Sequence, residues 1–382
     1  MSILLTGARL VSDEFDGVDG WVEVRDRRIS AVGRGEPRTD VARVDVGGLF
    51  LLPGLVDIHQ HGGGGGAYES GSAAAREAVR FHRLSGTTTS IASLVSAPLP
   101  VLEAQIRALV PLVEDGTLAG IHLEGPWLNP ARAGAHPPAA LVLPLSADVD
   151  RLLAAGQGCV RMVTLAPELP GGLDAVDQLT AAGVVVAVGH TDADHATTRE
   201  ALRRGARAGT HLFNAMRPVH HREPGPVPAL LESGAAVELI ADGVHLHPSV
   251  LGLAARTAGH ARTVLVTDAN AAAGMPDGPY RLGERTVTVA GGVARGKGGE
   301  IAGGTGTLAD AVRFAVTEAG LTLRDAVAAA TSNPAALLGL PDVGRLVPGA
   351  WADLTLLTPD LRLAGVLHRG AWIRPLPSER PS

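Results

Sequence analysis

Only one cysteine, Cys159, occurs in 382 residues, so neither a disulfide framework nor a CxxC metal site can form. Lysine is equally scarce: Lys297 is the single one, and the other 32 cations are arginines. It does not stand in a GxxxxGK[ST] context, which excludes a phosphate loop of that kind. Schiff-base chemistry would have to run through Lys297 alone. Aromatics are few (4 Trp, 2 Tyr, 5 Phe) and the net charge is −6 with no basic block, which argues against a nucleic-acid groove. No apolar run approaches the ~18 residues of a membrane span. The opening stretch MSILLTGARLVSDE has neither the basic start nor the long apolar centre of a secretory leader. A cytoplasmic protein without membrane or nucleic-acid partners is the expectation. Hydrophobic residues make up 46% and charged residues 19%, as in an ordinary globular chain, and 49 glycines and 26 prolines mark many turns.

What is present is alternation. The first fifty residues carry short period-2 runs (ILLTGARLV, GWVEVRD, RISAVGRG) that break at Gly or Asp and read as strands. From residue 51, eight β-rich runs follow: 55–59, 87–93, 118–124, 160–166, 184–190, 208–213, 236–242 and 263–269. Between them lie stretches of helical period, such as SAAAREAVRFHRLSG and ATTREALRRGA, that end near Gly. Strands alternating with helices eight times predict an α/β fold, a (β/α)₈ TIM-type barrel over 51–343. Two doubly wound domains would alternate too, but no GxGxxG opens a helix. A Gly-rich hairpin insertion is expected around 275–304, then two helices, TLADAVRFAVTEAG and TLRDAVAAATSNPAALLG. Strands ADLTLLT, LRLAGVLHRG and AWIRP close the chain. The segments 1–50 and 344–382 are expected to pair as a small β-sandwich domain.

The chemistry gathers where the predicted strands end. Run one ends in His59-Gln60-His61, run three in Glu124 and run five in His190; run six carries His211 and run eight Asp268. In a (β/α)₈ barrel those ends converge on one face. Imidazoles with a carboxylate are a ligand set for zinc and similar divalent ions, and residues i and i+2 on a strand share a face. HxH alone is weak evidence; five such residues plus Asp268 are far stronger. His122 shares the face of Glu124 and is expected to pack beneath it. His82, His195, His260 and His368 read as packing or surface residues, Glu168 as structural, and Cys159 as a small core residue. Gly62–Gly66 reads either as a flexible turn or as a close approach to substrate.

These residues resemble the amidohydrolase superfamily: PGLVDIHQHG is similar to its opening PGxxDxHxH motif and VPGAWADLTLL to its closing strand. The blocks HLEGPWLNPARAGAH, VGHTDA, THLFNAM, HREPG, ADGVHLHP, LVTDA and IAGGTGTL are similar, in order, to those of the N-acetylglucosamine-6-phosphate deacetylase family, across nearly the whole chain. Run four has no lysine for the carbamylated metal bridge of some amidohydrolases, whereas Glu124 fits the strand-three glutamate of the deacetylases. The resemblance implies a metal-dependent hydrolase releasing acetate from N-acetylglucosamine 6-phosphate. It implies Glu124, His190 and His211 as metal ligands, His59 and His61 as an extra pair, and one or two divalent ions per subunit, with zinc ahead of iron, manganese or cobalt. Asp268 matches the catalytic acid/base, and His136 the residue that stabilises the oxyanion. His136, Asn214, Ala215, Arg222 and His245 match substrate contacts, as do the backbone segments at Ala135 and at Ile301, Ala302 and Gly303. The counterpart of Arg222 reaches substrate in a neighbouring subunit, which implies a homodimer. The alternative is another amidohydrolase acting on an N-acyl amino acid or cyclic amide. A reading of a different class, an inactive binding or scaffold relative, sits poorly with the intact ligands and Asp268.

Overall fold

The computed structural model describes residues 2–283 and 285–376. Glu284 of the expected insertion and residues 377–382 of the expected C-terminal segment lie outside the described residues.

All eight predicted runs form strands of one parallel sheet. They are β1 (Leu55–Asp57), β2 (Thr87–Val95), β3 (Gly120–Glu124), β4 (Val160–Leu165), β5 (Val185–Val188), β6 (Ala208–Gly209), β7 (Ala236–Ile240) and β8 (Thr263–Val266). Neighbours in sequence are neighbours in the sheet. The ring closes just beyond the strand ends: Gln60 bridges Ala269 in parallel, and Asp268 N–H donates to the His59 carbonyl at 2.9 Å. Helices such as Ser72–Leu84, Leu99–Glu114 and Pro248–Ala258 fill the connections.

Alternation along each strand sorts the side chains into two layers. On β5, Val186 and Val188 face the helices while Val185 and Ala187 face inward with Met162, Ile91 and Val264. On β3, Ile121 and Leu123 face the helices, which turns His122 and Glu124 inward. The floor of the barrel is therefore apolar, and polar side chains begin at the layer of His122. That ring is fully buried, holds Ser93 Oγ at 2.9 Å and Thr164 Oγ1 at 2.8 Å, and burial keeps it neutral. His122 is a support beneath Glu124, as expected.

The terminal segments build a second sheet. Its strands include Ser2–Val11, Asp16–Arg25, Arg28–Gly33 and Phe50–Pro53 from the start of the chain, and Leu354–Leu357, Leu363–His368 and Ala371–Arg374 from its end. Phe50–Pro53 pairs antiparallel with Leu354–Leu357 and so ties the two termini together. Its core, with Leu5, Leu10, Val22, Leu51, Leu354 and Leu356, is separate from that of the barrel.

Two local expectations change. TLRDAVAAATSNPAALLG forms two helices, Leu323–Ala329 and Ser332–Leu337, not one. The break falls at Thr331 (φ −139°, ψ −83°), three residues before Pro334, whose missing N–H and ring oppose a continuous helix. The glycine run 62–66 is a packed turn and not a loose one, and it does not line the barrel-mouth cavity. Gly62–Gly63 and Gly66–Ala67 form a miniature antiparallel pair pressed onto the helix Ser72–Leu84. A Cβ on Gly62 would come within 2.2 Å of the Gly66 carbonyl oxygen, and one on Gly66 within 2.3 Å of the Ala74 carbonyl oxygen. Packing, not catalysis, demands those glycines. His82 is buried there as a packing residue and holds the Gly62 carbonyl at 2.8 Å. Burial lowers its pKa to about 4.

Candidate active site

The C-terminal ends of the barrel strands open into a cavity of about 340 Å³. Twelve of the expected site residues line it: His61, Glu124, Ala135, His136, His190, His211, Asn214, Ala215, His245, Asp268, Ile301 and Gly303. His59 lies against them, fully buried. Two expected contacts do not line it. Ala302 turns away: its N–H donates to the Ala294 carbonyl and its own carbonyl accepts from Asn270 Nδ2. Arg222 is exposed, with Nη1 donating to His221 Nε2 at 2.7 Å.

Glu124 is the hub. One of its oxygens lies 3.1 Å from His190 Nε2, 3.0 Å from His211 Nε2 and 3.4 Å from His59 Nε2. The other lies 3.1 Å from His61 Nε2 and 3.2 Å from His136 Nε2. Burial would raise the Glu124 carboxyl, but the imidazoles of His59 and His136 outweigh it and hold it well below the usual carboxylate range. Asp268 Oδ1 is 3.2 Å from His61 Nε2 and 3.6 Å from His59 Nε2. Burial opposes its ionisation too, and the hydrogen bond from His61 with the charges of His59 and His61 overcomes it. Those carboxylates in turn lift His61, against burial, to about 9.

The ring nitrogens that face away settle what each imidazole offers. His61 Nδ1 meets the Ser93 carbonyl at 3.2 Å, and His190 Nδ1 meets the Arg132 carbonyl at 2.8 Å. A carbonyl only accepts, so these Nδ1 atoms carry protons and Nε2 is the nitrogen that faces inward. His59 is turned the same way by Glu238, 3.0 Å from its Nδ1, and its Nε2 is buried without a hydrogen-bond partner. His136 is the reverse. Its Nδ1 accepts from Ser96 N–H at 3.1 Å, so the neutral ring presents Nε2–H to the cavity. Burial lowers its pKa to about 4 and keeps it neutral. Inward Nε2 atoms around a carboxylate fit a divalent metal, which takes the place of any proton on them. Two overlapping groups can hold one: His59, His61, Glu124 and Asp268, and Glu124, His190 and His211.

The backbone is bent to achieve this. His190, His211 and Asp268 have φ of 47°, 26° and 49°, a left-handed region that costs a non-glycine residue on the order of 1–3 kcal/mol. All three sit just past a strand end, where the chain must turn while its side chain stays over the barrel axis. His245 is aimed by Asp242, 2.7 Å from its Nδ1. Glu168 does not line the cavity; it bonds Asn129, Thr191 and the Asp192 N–H and so ties two loops together.

The insertion is a three-stranded antiparallel sheet (Gly278–Leu282, Arg285–Ala290, Val293–Arg295), not a simple hairpin, and it reaches the cavity. Leu282 and Glu300 line it. Arg285 joins Glu300 at 2.7 Å to the Ala135 carbonyl at 2.8 Å. Sequence reasoning missed these residues, and Ser96 and Glu238 with them. Glu238 alone left a signal: a carboxylate inside the apolar run AVELIAD, on the inward side of β7.

Comparison with known proteins agrees with this geometry. Residues 50–373 match the amidohydrolase family. The structure of an N-acetyl-D-glucosamine-6-phosphate deacetylase mutant from Mycobacterium smegmatis, solved in complex with N-acetyl-D-glucosamine 6-phosphate, is similar with a TM-score of 0.95 at 45% identity, over 98% of this chain and 100% of that one. An N-acetylgalactosamine-6-phosphate deacetylase of Escherichia coli O157:H7 is 35% identical over 97% of this chain and 99% of its own length. An N-acetylglucosamine-6-phosphate deacetylase of Bacillus subtilis (strain 168) is 33% identical over 97% and 96%. With a closed barrel, a metal-ligand cluster at its mouth and this likeness along nearly its full length, the chain belongs to the amidohydrolase family, within its N-acetylglucosamine-6-phosphate deacetylase group.

Proposed function

We propose that this chain hydrolyses the acetamide of N-acetylglucosamine 6-phosphate to acetate and glucosamine 6-phosphate, a cytoplasmic step of amino-sugar catabolism and cell-wall recycling. The observation that carries the reading is the placement of the imidazole nitrogens. His59, His61 and His190 turn Nδ1 outward to Glu238 and to two backbone carbonyls, which leaves Nε2 facing the cluster where a cation can replace its proton, and the neutral His136 ring presents Nε2–H. Metal-assisted amide hydrolysis uses both, a ligand set for a cation and a donor for the carbonyl oxygen.

Zinc is the proposed ion, held by Glu124, His190 and His211, with His59 and His61 available to a second. A divalent ion there supplies a Lewis acid and lowers the pKa of water toward 7. The rest is the work of the chain. Asp268 takes the proton of the attacking water as the new C–O bond forms. His136 Nε2–H donates to the carbonyl oxygen as negative charge builds on it. Asp268 then delivers its proton to the nitrogen, the C–N bond breaks, and the amine leaves neutral instead of as an amide anion. His245, Asn214 and the backbone at Ile301 and Gly303 are proposed to hold the sugar.

Arg222 is proposed to bind the 6-phosphate across a homodimer. Its exposure outside its own cavity supports a role in trans, and guanidinium suits phosphate oxygens. Replacing Arg222 by alanine should raise KM for the phosphorylated sugar about 10- to 100-fold, the worth of a hydrogen bond between charged groups. KM for unphosphorylated N-acetylglucosamine should stay unchanged; an equal rise for both substrates would remove the assignment. The Escherichia coli relative favours a second reading, N-acetylgalactosamine 6-phosphate as substrate. Comparing kcat/KM for the two sugar phosphates separates them.

A further inference from the structure

We propose that Glu238 is a positioning residue: it fixes which nitrogen of His59 faces Glu124 and Asp268, and so governs binding of the ion at His59 and His61. The proposal rests on the reading of His59 and His61 as ligands.

Glu238 lies on β7, fully buried. Its Oε2 has two partners, His59 Nδ1 at 3.0 Å and the backbone N–H of His211 at 3.1 Å. Its own carbonyl accepts from the Leu212 N–H at 2.8 Å. Oε2 accepts the His211 N–H on one side and meets His59 Nδ1 on the other. That contact places Nδ1 against Glu238 and leaves Nε2 to face Glu124 and Asp268, and the proton of the contact is here assigned to Nδ1. With the opposite tautomer, an N–H would occupy the ligand position and no cation could bind through that ring.

The other rings show why this partner matters. His61 and His190 are turned by neutral backbone carbonyls, and His211 Nδ1 has no partner. Of these four rings, only His59 meets a carboxylate through the nitrogen that faces away from the cluster. A carboxylate partner raises the basicity of the coordinating nitrogen as well as aiming it. The same oxygen also anchors the His211 N–H, where the backbone is left-handed, so Glu238 touches both ligand groups while lying outside either one.

The test compares wild type, His59→Ala and Glu238→Gln, each stripped by chelator and titrated with zinc against a competing metal indicator. Gln keeps the size of the side chain and removes its charge. Wild type should bind two ions, and His59→Ala one. Glu238→Gln should bind one ion about 10- to 100-fold more weakly, as loss of such partners does elsewhere, with a smaller change in the other. Two ions bound as tightly as in wild type would overturn the proposal. A single ion in wild type, unchanged by His59→Ala, would instead overturn the ligand reading beneath it. Nitrogen-15 NMR of zinc-loaded wild type serves if Glu238→Gln does not fold. The His59 ring should show a protonated Nδ1 and a metal-shifted Nε2, and the reverse pattern would overturn the proposal.

Discussion

Replacing Asp268 by asparagine should lower kcat by about 10²- to 10⁴-fold, the usual contribution of a positioned acid/base, while the sugar phosphate still binds. Asn fills the same volume beside His61 and His59, and its amide oxygen still accepts from His61. It cannot take up a proton. Both halves of the reaction need that transfer, since the attacking water must lose a proton and the leaving nitrogen must gain one. The carboxylate is ready because the hydrogen bond from His61 and the nearby imidazoles outweigh the cost of its burial. Acetate release gives kcat, and calorimetry gives binding. A near-normal rate would show that another group moves the proton.

Replacing Glu124 by glutamine should have the larger effect on the metal. Glu124 is the one residue common to both ligand groups. Five imidazoles stand within 3.4 Å of its oxygens. The amide offers a single, weaker oxygen and no negative charge to set against a cation. Loss of a partner behind a ligand costs 10–100-fold in affinity, so loss of this ligand should cost more than about 100-fold. Zinc per subunit after dialysis should fall below that of wild type, and turnover should fall below detection. Full metal content in Glu124→Gln would show that the imidazoles alone hold the ion.

Most of the barrel was legible because its physics is local. The apolar runs recur at strand length, the helical stretches between them end near glycine, and the closure of the ring follows from their number. The ligand cluster was legible for the same reason, since a residue at the end of a parallel strand must reach the barrel mouth. Other features depend on contacts between distant segments. Ser96 holds the proton pattern of His136 through a backbone N–H, which no side-chain identity records. Glu300 and Leu282 reach the cavity only because the insertion folds over it. Ala302 matched a backbone motif in which its neighbours line the cavity while its own N–H and carbonyl are taken by Ala294 and Asn270. Glu238 was legible in principle: alternation on β7 puts it inside, and a buried carboxylate demands a partner.

The central claim is metal-dependent removal of acetate from a phosphorylated N-acetyl sugar. The most direct test is amine release from N-acetylglucosamine 6-phosphate, run beside unphosphorylated N-acetylglucosamine, with chelator-stripped and zinc-restored protein in parallel. Turnover that favours the phosphorylated sugar, disappears on stripping and returns with zinc is the predicted result. No turnover of the sugar phosphate by the zinc-restored protein would contradict it.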